Sequence, residues 1–222
     1  MSEAAPGLPD SPDFATPERA RLAEGVRALI DAVMTAEVDD GAILLEVAAE
    51  AERLAERLGG GRESGAGYRP RSHGDYLPRS PVVGHASPLA PRIEWEESDA
   101  AIDDRPGIEA HGTFGAPYEG PPGYVHGGMI ALAFDEVLGI ANIAAGHPGM
   151  TARLTIHYRK PTPLFHELRF RAALDRVEGR RIMSRAQLWD GATLTAEAEG
   201  LFVQPRPERA LEIFGPPDED SS

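Results

Sequence analysis

His126-Gly127-Gly128, followed nine positions after the histidine by Asp135, is the constellation in this 222-residue chain best placed to do chemistry. The triplet heads the run Gly123–Gly139, in which Ile130, Ala133, Phe134, Val137 and Leu138, continued by Ala141, recur at the spacing of one helical face. Pro121-Pro122-Gly123 marks a turn just before it, so the helix starts close to the triplet. The first amides of a helix have no intrahelical acceptor, and glycines there let a ligand approach the backbone. With the positive end of the helix dipole, those amides suit an anion or a polarised carbonyl oxygen. Asp135 lies off the centre of the apolar stripe, where a carboxylate can accept a proton or attack a carbonyl. The plainer alternatives are a buried helix with a glycine-rich entry and a solvated helix acid, and Glu136 fits the latter description.

Composition limits the classes of partner. There is no cysteine, hence neither a disulfide framework nor a thiolate site. A net charge of −14 argues against nonspecific nucleic-acid binding, which needs a basic surface. No apolar run approaches the ~20 residues of a membrane span, and the start has neither a basic segment nor an apolar core of a secretory signal. The expectation is a cytoplasmic protein. His73, His85, His111, His147 and His166 are scattered without ligand spacing, so no metal site is expected.

The elements that must position the triplet can be read in order. Residues 1–15 are rich in Pro, Ala, Asp and Ser and are expected to be disordered. Residues 16–58 form a two-helix extension. Thr16-Pro17-Glu18 starts the first helix, with Leu22, Val26, Leu29, Ile30 and Val33 on one stripe. A second helix from about Asp40 to Leu58 turns Leu44, Val47, Ala51, Leu54 and Leu58 inward. Residues 59–75 are a glycine-rich linker, and they lack the order of a phosphate-binding loop. In the principal domain, 76–205, Val82–Glu97 and Ile108–Phe114 read as strands around a turn over Asp103–Gly107. After the central helix come four strands. In Thr151–Tyr158, Ala152, Leu154, Ile156 and Tyr158 alternate with Thr151, Arg153, Thr155 and His157, which places the two sets on opposite faces. Leu168–Leu174, Arg181–Trp189 and Thr193–Val203 follow, joined by acid-then-glycine turns at Glu178-Gly179 and Asp190-Gly191. The pattern predicts an α+β fold, one helix against an antiparallel sheet. Residues 206–222 form an acidic tail.

The triplet, the acid at that spacing and the strand Thr151-Ala152-Arg153-Leu154-Thr155-Ile156-His157-Tyr158-Arg159-Lys160-Pro161 together resemble the hotdog-fold acyl-CoA thioesterases. The resemblance is to the branch of the phenylacetate-pathway and mammalian thioesterase-superfamily enzymes, and it covers roughly Val82–Gln204. It implies a long central helix wrapped by a curved antiparallel sheet, and hydrolysis of acyl-CoA to acid and free CoA without a separate cofactor. It further implies a homodimer, or a dimer of dimers, in which the HGG of one chain faces the acid of its partner. On that reading Gly127 or Gly128 polarises the thioester carbonyl, Asp135 is general base or nucleophile, and His126 orients the loop or contacts substrate. Thr151 matches the position whose hydroxyl holds water or the carboxylate.

Coenzyme A is anionic, and an acidic chain needs local cations to hold it. Between Thr151 and Arg185 nine Arg or Lys face three acids, a local balance of +6. Arg159 and Lys160 are the candidates for the CoA phosphates. Two other functions stay open at this level: a hotdog hydratase or dehydratase acting on acyl thioesters, and a non-catalytic acyl-CoA-binding module.

Overall fold

The computed structural model describes residues 16–59, 77–206 and 209. The expectations for 1–15, for the linker beyond Gly59 and for nearly all of the acidic tail lie outside the described residues.

Six strands form one antiparallel sheet: β1 (Arg92–Ile102), β2 (Arg105–Thr113), β3 (Met150–Tyr158), β4 (Leu168–Glu178), β5 (Arg181–Asp190) and β6 (Thr193–Val203). Their spatial order is β1-β2-β4-β5-β6-β3, which leaves β1 and β3 as the edges. Tight turns set the hairpin registers. Gly179 and Gly191 take φ of 61° and 55°, a conformation in which a Cβ is strained, and Glu178 pairs with Arg181 as Asp190 pairs with Thr193. The β1–β2 turn is tighter than the sequence suggests. Asp103 and Asp104 both have positive φ, and Ile102 already pairs with Arg105. Aspartate tolerates that backbone better than most residues, which is why two of them suffice.

One helix, α3 (Gly127–Ala144), packs on the sheet and touches β2, β3, β4, β5 and β6. Ile130, Ala133, Phe134, Val137, Leu138 and Ala141, the stripe read from the sequence, are all buried. They meet Leu168, Phe170, Ile182, Leu188 and Phe202 in a single core. Phe134 stands edge-on to Phe170 at 5.8 Å between centroids. Burying each such large side chain contributes about 1.5–3 kcal/mol. By length and composition α3 is apolar enough to cross a membrane, contrary to the expectation from run length, yet it serves here as the core helix of the sheet.

Val82–Ala90 is not a strand. The segment is a series of turns in which Ser80 accepts from the amides of Val82 and Val83, and the amides of Gly84, Ala86 and Ser87 bond back to Ser80, Pro78 and Gly84. Pro88 within the segment and Pro81 and Pro91 beside it supply no donor, which weakens any ladder the stretch could join. β1 instead begins at Arg92 and runs on through Ser98 to Ile102, past the end expected at Glu97.

The two N-terminal helices form where expected. In α1 (Pro17–Thr35) Thr16 caps the Arg19 amide at 3.3 Å, and in α2 (Gly41–Arg57) Asp40 caps the Ala42 amide at 2.8 Å. Their apolar stripes are a different matter. Only Ala23 of α1 is buried, and α2 buries no residue; Leu44, Leu54 and Leu58 are at least half exposed. The inward face expected for α2 has no cover among the described residues.

Candidate active site

The chain enters α3 through a short loop tied on two sides. A 3-10 turn, Ala116–Tyr118, presents the Tyr118 carbonyl to the His126 amide at 2.8 Å. From the other side, the Thr162 carbonyl accepts from Val125 at 2.9 Å, and the Leu164 amide donates to Gly123 at 3.0 Å. His126 is the N-cap of α3. Its Nδ1 accepts the Gly128 amide at 2.9 Å, and its carbonyl accepts from Met129 and Ile130. The imidazole acts as a cap through Nδ1, which fits the loop-orienting role read from the sequence and leaves the substrate-contact role open to test.

That cap separates the two glycines. The Gly128 amide is taken by His126, whereas the Gly127 amide has no protein acceptor among the described residues and lies at the positive end of the helix. Of the two donors that were candidates for an oxyanion, Gly127 is the one left open. The glycines themselves follow from packing. A Cβ on Gly127 would sit 3.3 Å from the Tyr158 hydroxyl, and one on Gly128 would sit 3.0 Å from His126 Nδ1. Tyr158 donates its hydroxyl to the Gly127 carbonyl at 2.7 Å. Sequence reading gave Tyr158 no role, and only its large ring at the end of a strand opposite the triplet could have signalled one.

Two turns along α3, Asp135 accepts a hydrogen bond from the Thr151 hydroxyl at 2.7 Å. A β-bulge makes this possible. Thr151 pairs with Phe202, but Arg153 already pairs with Leu201, so Ala152 is an extra residue in β3. Because directly opposed residues share a face, Thr151 joins Leu154, Ile156 and Tyr158, whose partners are Gly200, Ala198 and Ala196, on the side of the helix. Simple alternation had placed Thr151 on the opposite face. The bulge lets one strand send Thr151 to Asp135 and Tyr158 to Gly127.

The structure brings Thr151 and Asp135 together, but not Asp135 and Gly127. Eight residues along a helix separate them by about 12 Å, too far for both to act on one carbonyl. Arg159, expected to be free for phosphates, is bonded through Nε and Nη2 to Glu197 on the neighbouring strand. Lys160 is exposed and makes no ion pair among the described residues. Among the described residues, no three His, Asp or Glu gather as metal ligands would.

One helix packed across a six-stranded antiparallel sheet, with HGG at its head, defines the hotdog class of thioesterase folds, and the chain belongs to the thioesterase superfamily. The family profile matches residues 122–197, from the turn before the triplet into β6. A crystal structure of a thioesterase superfamily protein is 32 % identical with a TM-score of 0.72, covering 88 % of this chain and 94 % of its own. The mouse protein named acyl-coenzyme A thioesterase THEM4 is 39 % identical over 99 residues, 44 % of this chain and 43 % of the mouse protein. Human acyl-coenzyme A thioesterase THEM5 is 30 % identical over 92 residues, 40 % of this chain and 37 % of the human one. The chain thus matches less than half the length of these curated relatives.

Proposed function

We propose that the protein hydrolyses acyl-CoA thioesters to a free acid and CoA. The observation that carries the reading is the Thr151–Asp135 hydrogen bond at 2.7 Å, on the same helix whose first residue offers an open amide. Thr151 donates to the carboxylate and so leaves its other oxygen lone pairs for a proton or a carbonyl carbon. Superfamily membership, and relatives whose names include acyl-coenzyme A thioesterase, support the substrate class.

In this mechanism the Gly127 amide donates to the thioester oxygen as charge builds on it. Asp135 removes a proton from water as the water oxygen bonds to the carbonyl carbon; the carbon–sulfur bond then breaks and the proton passes to the leaving thiolate. Alternatively Asp135 bonds to the carbonyl itself, CoA leaves, and water hydrolyses the resulting anhydride. The 12 Å or so between Gly127 and Asp135 on one helix supports a site shared between two chains, Gly127 from one and Asp135 of the partner subunit. The edge position of β3, with most of its residues exposed, supports pairing of two sheets there as a homodimer or a dimer of dimers. Lys160 takes a CoA phosphate, with Arg159 exchanging Glu197 for a second one.

The test is release of free CoA from a panel of acyl-CoAs of differing length and aromaticity, followed with a thiol-trapping reagent. A hydrolase liberates the thiol, whereas a hydratase or a binding module leaves the thioester intact. No release from any member of the panel would overturn the reading.

A further inference from the structure

We propose that α1 sets the Gly127 amide, acting as a brace through Arg27 and Tyr118. The inference rests on Gly127 being the donor to the thioester oxygen. Arg27 reaches from α1 to the turn segment before β1, donating from Nε to the Ala90 carbonyl and from Nη2 to the Ser87 carbonyl, both at 3.1 Å. Its planar fork fixes two carbonyls three residues apart, which a single ammonium does less rigidly. Between them, the Leu89 carbonyl accepts the Tyr118 hydroxyl at 3.1 Å. Tyr118 is wedged edge-on against Phe114 at 5.5 Å, and its own carbonyl accepts the His126 amide at 2.8 Å. The next peptide, His126–Gly127, carries the open donor.

A continuous path of hydrogen bonds therefore runs from α1 to the residue that orients that donor. Thr162 and Leu164 hold Val125 and Gly123, Glu119 accepts from the Gly123 amide, Gly120 and Tyr124 bond within the loop, and the His126 amide is left to Tyr118. Asp31, one turn beyond Arg27, closes the same contact, its Oδ1 lying 3.4 Å from the place of a Cβ on Gly115. Burial raises the Tyr118 pKa, so its hydroxyl remains a donor at neutral pH. Since α1 buries only Ala23, its attachment to the domain is directional more than apolar, as a positioning element requires.

Three variants test the brace: Tyr118→Phe, which keeps the ring and its packing, Arg27→Met, and both together. Arg21→Met is the control, because among the described residues Arg21 pairs only with Glu24 on its own helix. Each of the two single changes is expected to lower kcat about tenfold with KM held within about twofold, because a donor displaced by a fraction of an ångström loses transition-state stabilisation first. The double variant should be no slower than the worse single, since both changes cut one path. Hydrogen exchange at the His126 amide should quicken in all three and stay unchanged in the control. Unchanged kcat alongside faster exchange, or unchanged exchange, would overturn the proposal. If Arg27→Met fails to fold, Tyr118→Phe decides alone. A wild-type protein that released no CoA would remove the hydrolase reading, while exchange would still decide whether α1 holds this peptide.

Discussion

Tyr158, the last residue of β3, donates its hydroxyl to the carbonyl of Gly127, the first residue of α3, at 2.7 Å. The bond pins the start of the helix to the sheet on the side opposite the open amide. Tyr158→Phe keeps the ring that Gly127 packs against and removes only that bond. A neutral hydrogen bond of this kind contributes about 0.5–1.5 kcal/mol, so kcat should fall roughly two- to tenfold with little change in KM. Steady-state kinetics at fixed pH reads the split; a rise in KM alone would assign the tyrosine to substrate binding.

Asp135 and Gly127 lie about 12 Å apart along α3, and the proposed shared site rests on that separation. An Asp135→Asn protein mixed with an inactive Gly127→Val protein should regain activity once subunits exchange. Each hybrid dimer holds one intact site, so equal mixing restores about a quarter of wild-type activity. Exchange proven by mass tags without any recovery would put both groups to work on the same chain.

On the sheet face away from α3, Asp175 gathers Arg105 at 2.5 Å, Arg176 at 3.1 Å and Arg185 at 3.3 Å. Burial pushes its carboxyl up, but the three guanidiniums outweigh this and hold it below the usual carboxylate range. A carboxyl whose folded pKa is depressed stabilises the protein above its unfolded value and loses that contribution as pH falls through the folded one. Asp175→Asn should therefore melt below wild type at pH 7, with the gap closing in acid. The pairs are partly exposed, so the gap should also shrink in high salt. Thermal melts across pH check this, and a pH-independent gap would assign the effect to packing.

The core was legible because α3 carries a strict helical stripe, and the four strands after it are punctuated by acid-glycine turns. Thr16 announced its helix through cap chemistry. Candidate residues could be named from the sequence, but not how the chain arranges them. One extra residue, Ala152, reverses the facing of Thr151, and no period-2 pattern shows a bulge that only pairing with β6 defines. Which glycine stays open depends on the His126 rotamer, and the Arg159–Glu197 pair depends on strand register across β3 and β6. Val82–Ala90 misled because its valines look strand-like, while the deciding feature is Ser80 and the prolines turning the backbone on itself.

The most direct test of the account is the turnover of acyl-CoA by Asp135→Asn. The substitution is isosteric and keeps an oxygen that can still accept from Thr151, so melting temperature and CoA binding should match wild type. Turnover should fall by ~10²–10⁴, the loss typical of removing a general base. A variant that kept more than about a third of wild-type turnover would contradict the mechanism, because an amide neither takes the proton nor attacks the carbonyl.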